Sequence, residues 1–145
     1  MRAVKSEVAA AIEHAWANTP RPPDDRIAYD PKGYDDCAEI QRDLLGRHWR
    51  DVSPETLFKW RLDLPLLSPE GLRFYLPAWL LAALDDPEIS GWLSGFFLVR
   101  AEDRRLAETL AVFSDAERPA LRGFFEYMAE TDEEWRKVAE AAHRG

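Results

Sequence analysis

Between Ser68 and Pro87 the sequence carries a segment that is apolar on nearly every side, through Leu72, Phe74, Leu76, Trp79, Leu80, Leu81 and Leu84. In a soluble chain such a helix has to be covered by others, because an all-round hydrophobic surface leaves no face for water. Ser68-Pro69-Glu70 opens it with an N-cap hydroxyl, a residue of fixed φ and a carboxylate at the positive end of the helix dipole. Pro77 lies inside it and removes one main-chain hydrogen bond, so a kink is expected there. Asp85-Asp86-Pro87 ends it. The expected fold class is mainly α: one domain over residues 1–145, with about six to seven helices bundled around a central kinked helix and room for one or two very short strands.

The covering helices are read from stripes at helical spacing. Val8, Ile12 and Trp16 mark the first, which stops before the prolines of Thr19-Pro-Arg-Pro-Pro23. Cys37, Ile40 and Leu44 mark a second, ending at Gly46. Ser53-Pro54-Glu55 repeats the start signal of the central helix and opens a short one with Leu57, Phe58 and Trp60. Ile89 to Val99 is open between helix and strand, because Gly91 and Gly95 lower its helical propensity. Three further stripes follow: Leu106/Leu110/Phe113, Leu121/Phe124/Phe125/Met128 and Trp135/Val138/Ala142. The last two are preceded by Ser114-x-x-Glu117 and Thr131-x-x-Glu134, which read as capping boxes. A strand of three or four residues fits around Ile27 to Tyr29.

Charge narrows the partners. A net charge of −8 argues against nucleic acid and against an anionic membrane surface, both of which are met by clustered Lys and Arg. The longest apolar stretch, Leu72 to Leu84, is too short to span a bilayer and contains Arg73 and Pro77. Met1 to Thr19 reads as an amphipathic helix rather than a signal peptide, so the expected compartment is the cytoplasm. One cysteine, Cys37, leaves no disulfide framework and no cysteine-based zinc cluster, and its place on an apolar stripe marks it as a core residue.

No phosphate loop, nucleophile elbow or paired metal-binding histidines occur, and no cofactor is implied. The acidic run Asp24, Asp25, Asp30, Asp35, Asp36 and Glu39 lacks EF-hand spacing. The most site-like residues are the loop group Tyr29, Asp30, Gly33 and Tyr34, then Glu39, His48 and Trp49, and the polar exceptions on the central helix, Arg73 and Tyr75. Loops carry function more often than cores, and Trp, Tyr and Arg are the usual hot-spot residues of interfaces.

Several of these residues fall in one ordered pattern: Asp25-x-Ile27-x-Tyr29-Asp30-x-x-Gly33-Tyr34, Cys37-x-Glu39-Ile40, His48-Trp49-x-Asp51-Val52 and Ser68-Pro-Glu-Gly-Leu-Arg-Phe-Tyr-Leu-Pro-Ala-Trp-Leu80. The pattern resembles a bacterial family of small uncharacterised proteins, many with a "TPEGFRYYLPAYL"-like stretch. The resemblance implies that the Tyr29–Tyr34 loop and the Ser68–Leu80 segment are family features. It carries no activity, substrate or catalytic residue.

Two classes of function are therefore carried forward. The leading expectation is a non-enzymatic domain that binds another protein, an immunity-type or regulatory protein masking a basic partner. The alternative is a small-ligand binder or enzyme with a pocket near Tyr29–Tyr34 and Arg73/Tyr75, where Asp30 or Glu39 would be the base and Arg73 an anion clamp. A structural subunit of a homo-oligomer is the third possibility.

Overall fold

Both Ser-Pro-Glu signals start helices, and in both the serine hydroxyl accepts a main-chain N–H three residues on: Thr56 to Ser53 at 3.2 Å and Gly71 to Ser68 at 2.9 Å. The structure, a computed structural model, describes residues 4–33 and 35–144. Among these, eight α-helices follow one another: α1 (Lys5–Ala15), α2 (Asp35–Leu44), α3 (Pro54–Lys59), α4 (Pro69–Ala83), α5 (Pro87–Glu102), α6 (Leu106–Leu110), α7 (Glu117–Ala129) and α8 (Glu133–Arg144). Two 3₁₀ turns, Trp49–Asp51 and Leu64–Leu66, join the shorter ones.

α4 is the central element, as its composition requires. Ten of its residues are buried, on all sides, and it meets α1, α3 and α5. α7 and α8 form an antiparallel pair that closes over α1 and α5. Between them Phe97, Phe124, Phe125 and Trp135 meet edge-on, tilted or stacked, with ring centroids 4.9–6.5 Å apart. The predicted stripes are the buried ones: Val8, Ile12 and Trp16; Cys37, Ile40 and Leu44; Trp135, Val138 and Ala142 all line one continuous core.

Pro77 does not end α4, and the reason is visible one turn earlier. A proline at this position cannot donate to the carbonyl four residues back, which is that of Arg73. The indole N–H of Trp16 donates to that carbonyl instead, at 2.7 Å. The gap in the α4 ladder is thus filled by α1.

Two open readings are settled and one expectation is corrected. No strand forms at Ile27–Tyr29 among the described residues; a single antiparallel bridge, Ala28 to Leu67, stands in its place, because Gln41 takes the next main-chain donors. Ile89–Val99 is helix within α5, since Asp86 caps it through the N–H groups of Glu88 (2.9 Å) and Ile89 (3.3 Å) and its buried Ile89, Leu93, Phe96 and Phe97 keep helical spacing. α8 is capped by Asp132, not Thr131: the Asp132 carboxylate accepts the N–H of Glu134 at 2.9 Å and of Trp135 at 3.2 Å. The other box forms as read, with the Glu117 N–H on the Ser114 hydroxyl (3.2 Å) and the Ser114 N–H on the Glu117 carboxylate (2.8 Å).

Candidate functional site

The motif-bearing stretches meet in one knot at the start of α4. The amide oxygen of Gln41, on α2, accepts the N–H groups of Ile27 (3.0 Å) and Ala28 (2.9 Å), while its amide nitrogen donates to the carbonyl of Asp24. The Ser68 N–H donates to the Ile27 carbonyl at 2.9 Å, and the Ser68 hydroxyl to that of Arg26. The approach is so close that a Cβ on Gly71 would lie 2.2 Å from the Ile27 carbonyl oxygen, so only glycine fits. The Ser-Pro-Glu-Gly signature is therefore a docking point for the loop before α2.

The predicted site residues divide between two sides of α4. On the loop side, Tyr29 is exposed and its N–H donates to the Leu66 carbonyl (2.9 Å). The Asp30 carboxylate lies over Gly33, whose own N–H donates to the Asp30 carbonyl at 3.1 Å, so the Asp-Pro-Lys-Gly stretch is a tight turn. Tyr34 lies outside the described residues. Glu39 pairs with Lys59, which also reaches Asp43 at 2.8 Å.

At the other end of α2, Tyr75 is buried and its hydroxyl is shared between the carbonyl of Leu44 (2.8 Å), the last residue of the helix, and that of Arg47 (2.7 Å) in the turn after it. Burial pushes the phenol up to about 12. His48 stands against Trp49 and Phe74, each ring centroid 5.3 Å away, and its Nδ1 accepts the Arg50 N–H at 3.1 Å. Burial, with Arg50 and Arg21 nearby, holds its pKa below the usual value, which favours the neutral ring that this hydrogen bond needs. Trp49 is buried beside it.

Arg73 points elsewhere. Its Nε and Nη2 donate to the two oxygens of Glu117 at 2.8 and 3.1 Å, a bidentate fork. Glu117 is only 1% exposed and accepts further bonds from the Thr19 hydroxyl and the Ser114 N–H (2.8 Å). Burial alone would raise its pKa; the bonds from Arg73, Thr19 and Ser114 outweigh it and hold the carboxyl below the ordinary range. This pair floors a cleft of about 570 Å³ between the end of α1 and the start of α7. The guanidinium there is already neutralised by Glu117. Arg73 and Tyr75 thus have different partners on different parts of the chain, while in the loop the Tyr29 main chain is bonded to Leu66 and Gly33 to Asp30.

Two positions escaped the sequence reading. Gln41 looks like a surface residue on a polar helix face, and no local signal distinguishes it. Glu117 was accounted for by its capping box, while its long-range partner lies 44 residues away.

A third feature is on the surface. Phe58, Leu62, Trp92 and Val99 are 42%, 45%, 46% and 50% exposed. Trp92 and Val99 are seven residues apart on α5 and so share a face. Arg61 ties the segment after α3 to the first turn of α5: its guanidinium lies 3.8 Å from the Phe58 ring centroid and its Nε 2.8 Å from the Glu88 carboxylate, one turn before Trp92.

Fold and site together define a small all-helical domain, in which the motif residues hold the helices in register. Its particular affiliation follows: the chain belongs to a family of unknown function, DUF6714, whose model matches residues 4–143. That agrees with the resemblance to an uncharacterised family. No curated protein and no solved structure matches it. Among the described residues no helix is long and apolar enough to cross a membrane, and no group of three His, Cys, Asp or Glu side chains is placed to hold a metal ion.

Proposed function

We propose that the protein is a non-enzymatic binding domain that acts by covering a basic surface of another protein, in the manner of an immunity or regulatory protein. The observation that carries this reading is the exposed apolar face of α5 with its α3 neighbours. It offers a solvated tryptophan on α5 and an arginine stacked on an exposed phenylalanine after α3, and Trp and Arg are residue types enriched at interface hot spots. The net charge of −8 supports a basic partner, which it would attract and orient before contact.

The test uses the tagged full chain at native expression in its own host. A stoichiometric partner is expected at low salt, released as ionic strength rises, and lost with Trp92→Glu. Because Trp92 is solvated, that variant should keep the helical circular dichroism and unfolding midpoint of the parent. Recovery of the protein alone at low salt, or equal recovery by Trp92→Glu, would overturn the reading. A solution mass at twice the chain's own, abolished by Trp92→Glu, would instead assign the face to self-association.

A further inference from the structure

Arginine carries five N–H donors, arranged so that two edges of its guanidinium can each grip a pair of oxygens. Glu117 takes one edge of Arg73, through Nε at 2.8 Å and Nη2 at 3.1 Å. The other edge keeps one N–H of Nη1 and the second N–H of Nη2, side by side. Nη1 has no hydrogen-bond partner among the described residues and is not a buried atom, so solvent reaches it. Glu117 is 1% exposed, whereas 29% of the Arg73 side chain is exposed, and Arg73 lines the cleft of about 570 Å³ between α1 and α7. The free edge is thus the part of the ion pair that this cleft presents.

The walls keep that edge uncovered. Ala11 and Ala15 on α1, with Ala116, Pro119 and Ala120 around the start of α7, are all small. A larger side chain at any of these positions would narrow the cleft over the guanidinium. The volume is within the usual range for a small-molecule site, and the walls are mainly apolar with the polar groups at the floor.

Hydrogen-bonding capacity at the floor says what kind of group fits. Each Glu117 oxygen already accepts two bonds: one from Arg73 Nε and the Ser114 N–H, the other from Arg73 Nη2 and the Thr19 hydroxyl. A carboxylate has about four acceptor sites, so Glu117 has none left for a ligand's N–H or O–H. The unspent capacity at Arg73 is all donor. Two parallel N–H groups match the two oxygens of a planar carboxylate. The Arg73 charge is offset by Glu117, and among the described residues no other Asp, Glu, Lys or Arg lines the cleft, so a monoanion suits it better than a dianion such as phosphate.

We propose that the cleft between α1 and α7 binds a small monocarboxylic acid, whose carboxylate takes the free Nη1/Nη2 edge of Arg73 while its apolar body lies against the alanine walls. Glu117 is the positioning residue: it holds the guanidinium by one edge and so turns the other to the cleft. This site does not rest on the exposed face of α5, and either can fail without the other.

Benzoate and benzamide are matched probes, alike in shape and differing in charge and in the donor that the amide adds. In ¹⁵N-labelled full-length protein the Arg73 Nε–H signal is assigned by its loss in Arg73→Lys. Benzoate is expected to move that signal, together with the main-chain signals of Ala15 and Ala120, saturably in the millimolar range. Benzamide should bind roughly tenfold more weakly. Arg73→Lys keeps the positive charge and loses the fork, and should weaken benzoate by roughly tenfold. Ala11→Trp, at an exposed position on the cleft wall, should block benzoate while circular dichroism and the unfolding midpoint stay those of wild type, which decides the matter even if Arg73→Lys fails to fold. The proposal is overturned if benzoate gives no saturable shift, if benzamide binds as tightly, or if either variant, once shown to be folded, binds benzoate as well as wild type does.

Discussion

Trp16 and Pro77 lie 61 positions apart in sequence yet act on one atom, the carbonyl oxygen of Arg73. Replacing Trp16 with Phe removes the indole donor and leaves that oxygen buried, at a cost of about 1–3 kcal/mol beyond the change in packing. In a Pro77→Ala background the restored N–H serves the same carbonyl, so the Trp16→Phe penalty should shrink by about 1 kcal/mol. A double-mutant cycle from urea unfolding measures the difference, and strict additivity would show that the two residues are independent. Tyr75 offers a pH test at the same scale. Its phenol is raised to about 12 in the folded state against about 10 unfolded, so its contribution is complete below pH 10 and disappears as the pH climbs towards 12. Tyr75→Phe should be less stable than wild type by about 1–2 kcal/mol at neutral pH, and the gap should narrow between pH 10 and 12. A gap that stays constant over that interval would rule out the shared hydroxyl as its cause.

At the scale of elements, the starts of helices were the most legible part of the chain. Ser53 and Ser68 cap as their Ser-Pro-Glu context requires, because a cap is a contact between residues three apart and needs nothing from the rest of the fold. What the first turn of α4 touches was not legible. Gly71 reads as a helix-weakening residue in isolation, and only the arriving Ile27 carbonyl explains it. Gly71→Ala would raise intrinsic helix propensity while forcing Cβ against a main-chain oxygen. The collision should win, with a net loss of about 1–3 kcal/mol seen as a lower thermal midpoint. A raised midpoint would mean that the loop gives way and the knot is loose. α5 shows the converse limit. Its apolar residues surround the whole helix, so periodicity could not say which face stays uncovered, and Trp92 and Val99 were found only once α4 and α8 had taken their sides.

Over the whole molecule, three separately coded parts converge on the Glu117 carboxylate: the turn after α1, the first turns of α4 and the turn before α7, through Thr19, Arg73 and Ser114. The central helix and its covering stripes could be inferred from apolar spacing, since each stripe reports its own burial. This polar joint could not, because nothing in the sequence couples Arg73, a polar exception on the central helix, to Glu117, a capping residue 44 positions on. Its strength follows from burial, since breaking one partner of such a pair strands the other charge in a poor solvent. Glu117→Gln keeps the shape and removes the anion. Arg73 retains some contact with water, so the expected loss is about 2–3 kcal/mol at pH 7. The folded-state pKa of Glu117 is lowered, so its stabilisation is complete above the unfolded value of about 4.3 and is lost as the pH falls through the folded one. Urea midpoints of wild type and Glu117→Gln should therefore stand well apart at pH 7 and converge below about pH 4, wild type losing the advantage that the variant never had. A separation that persists undiminished in acid would show that the carboxylate's charge does not hold these elements together.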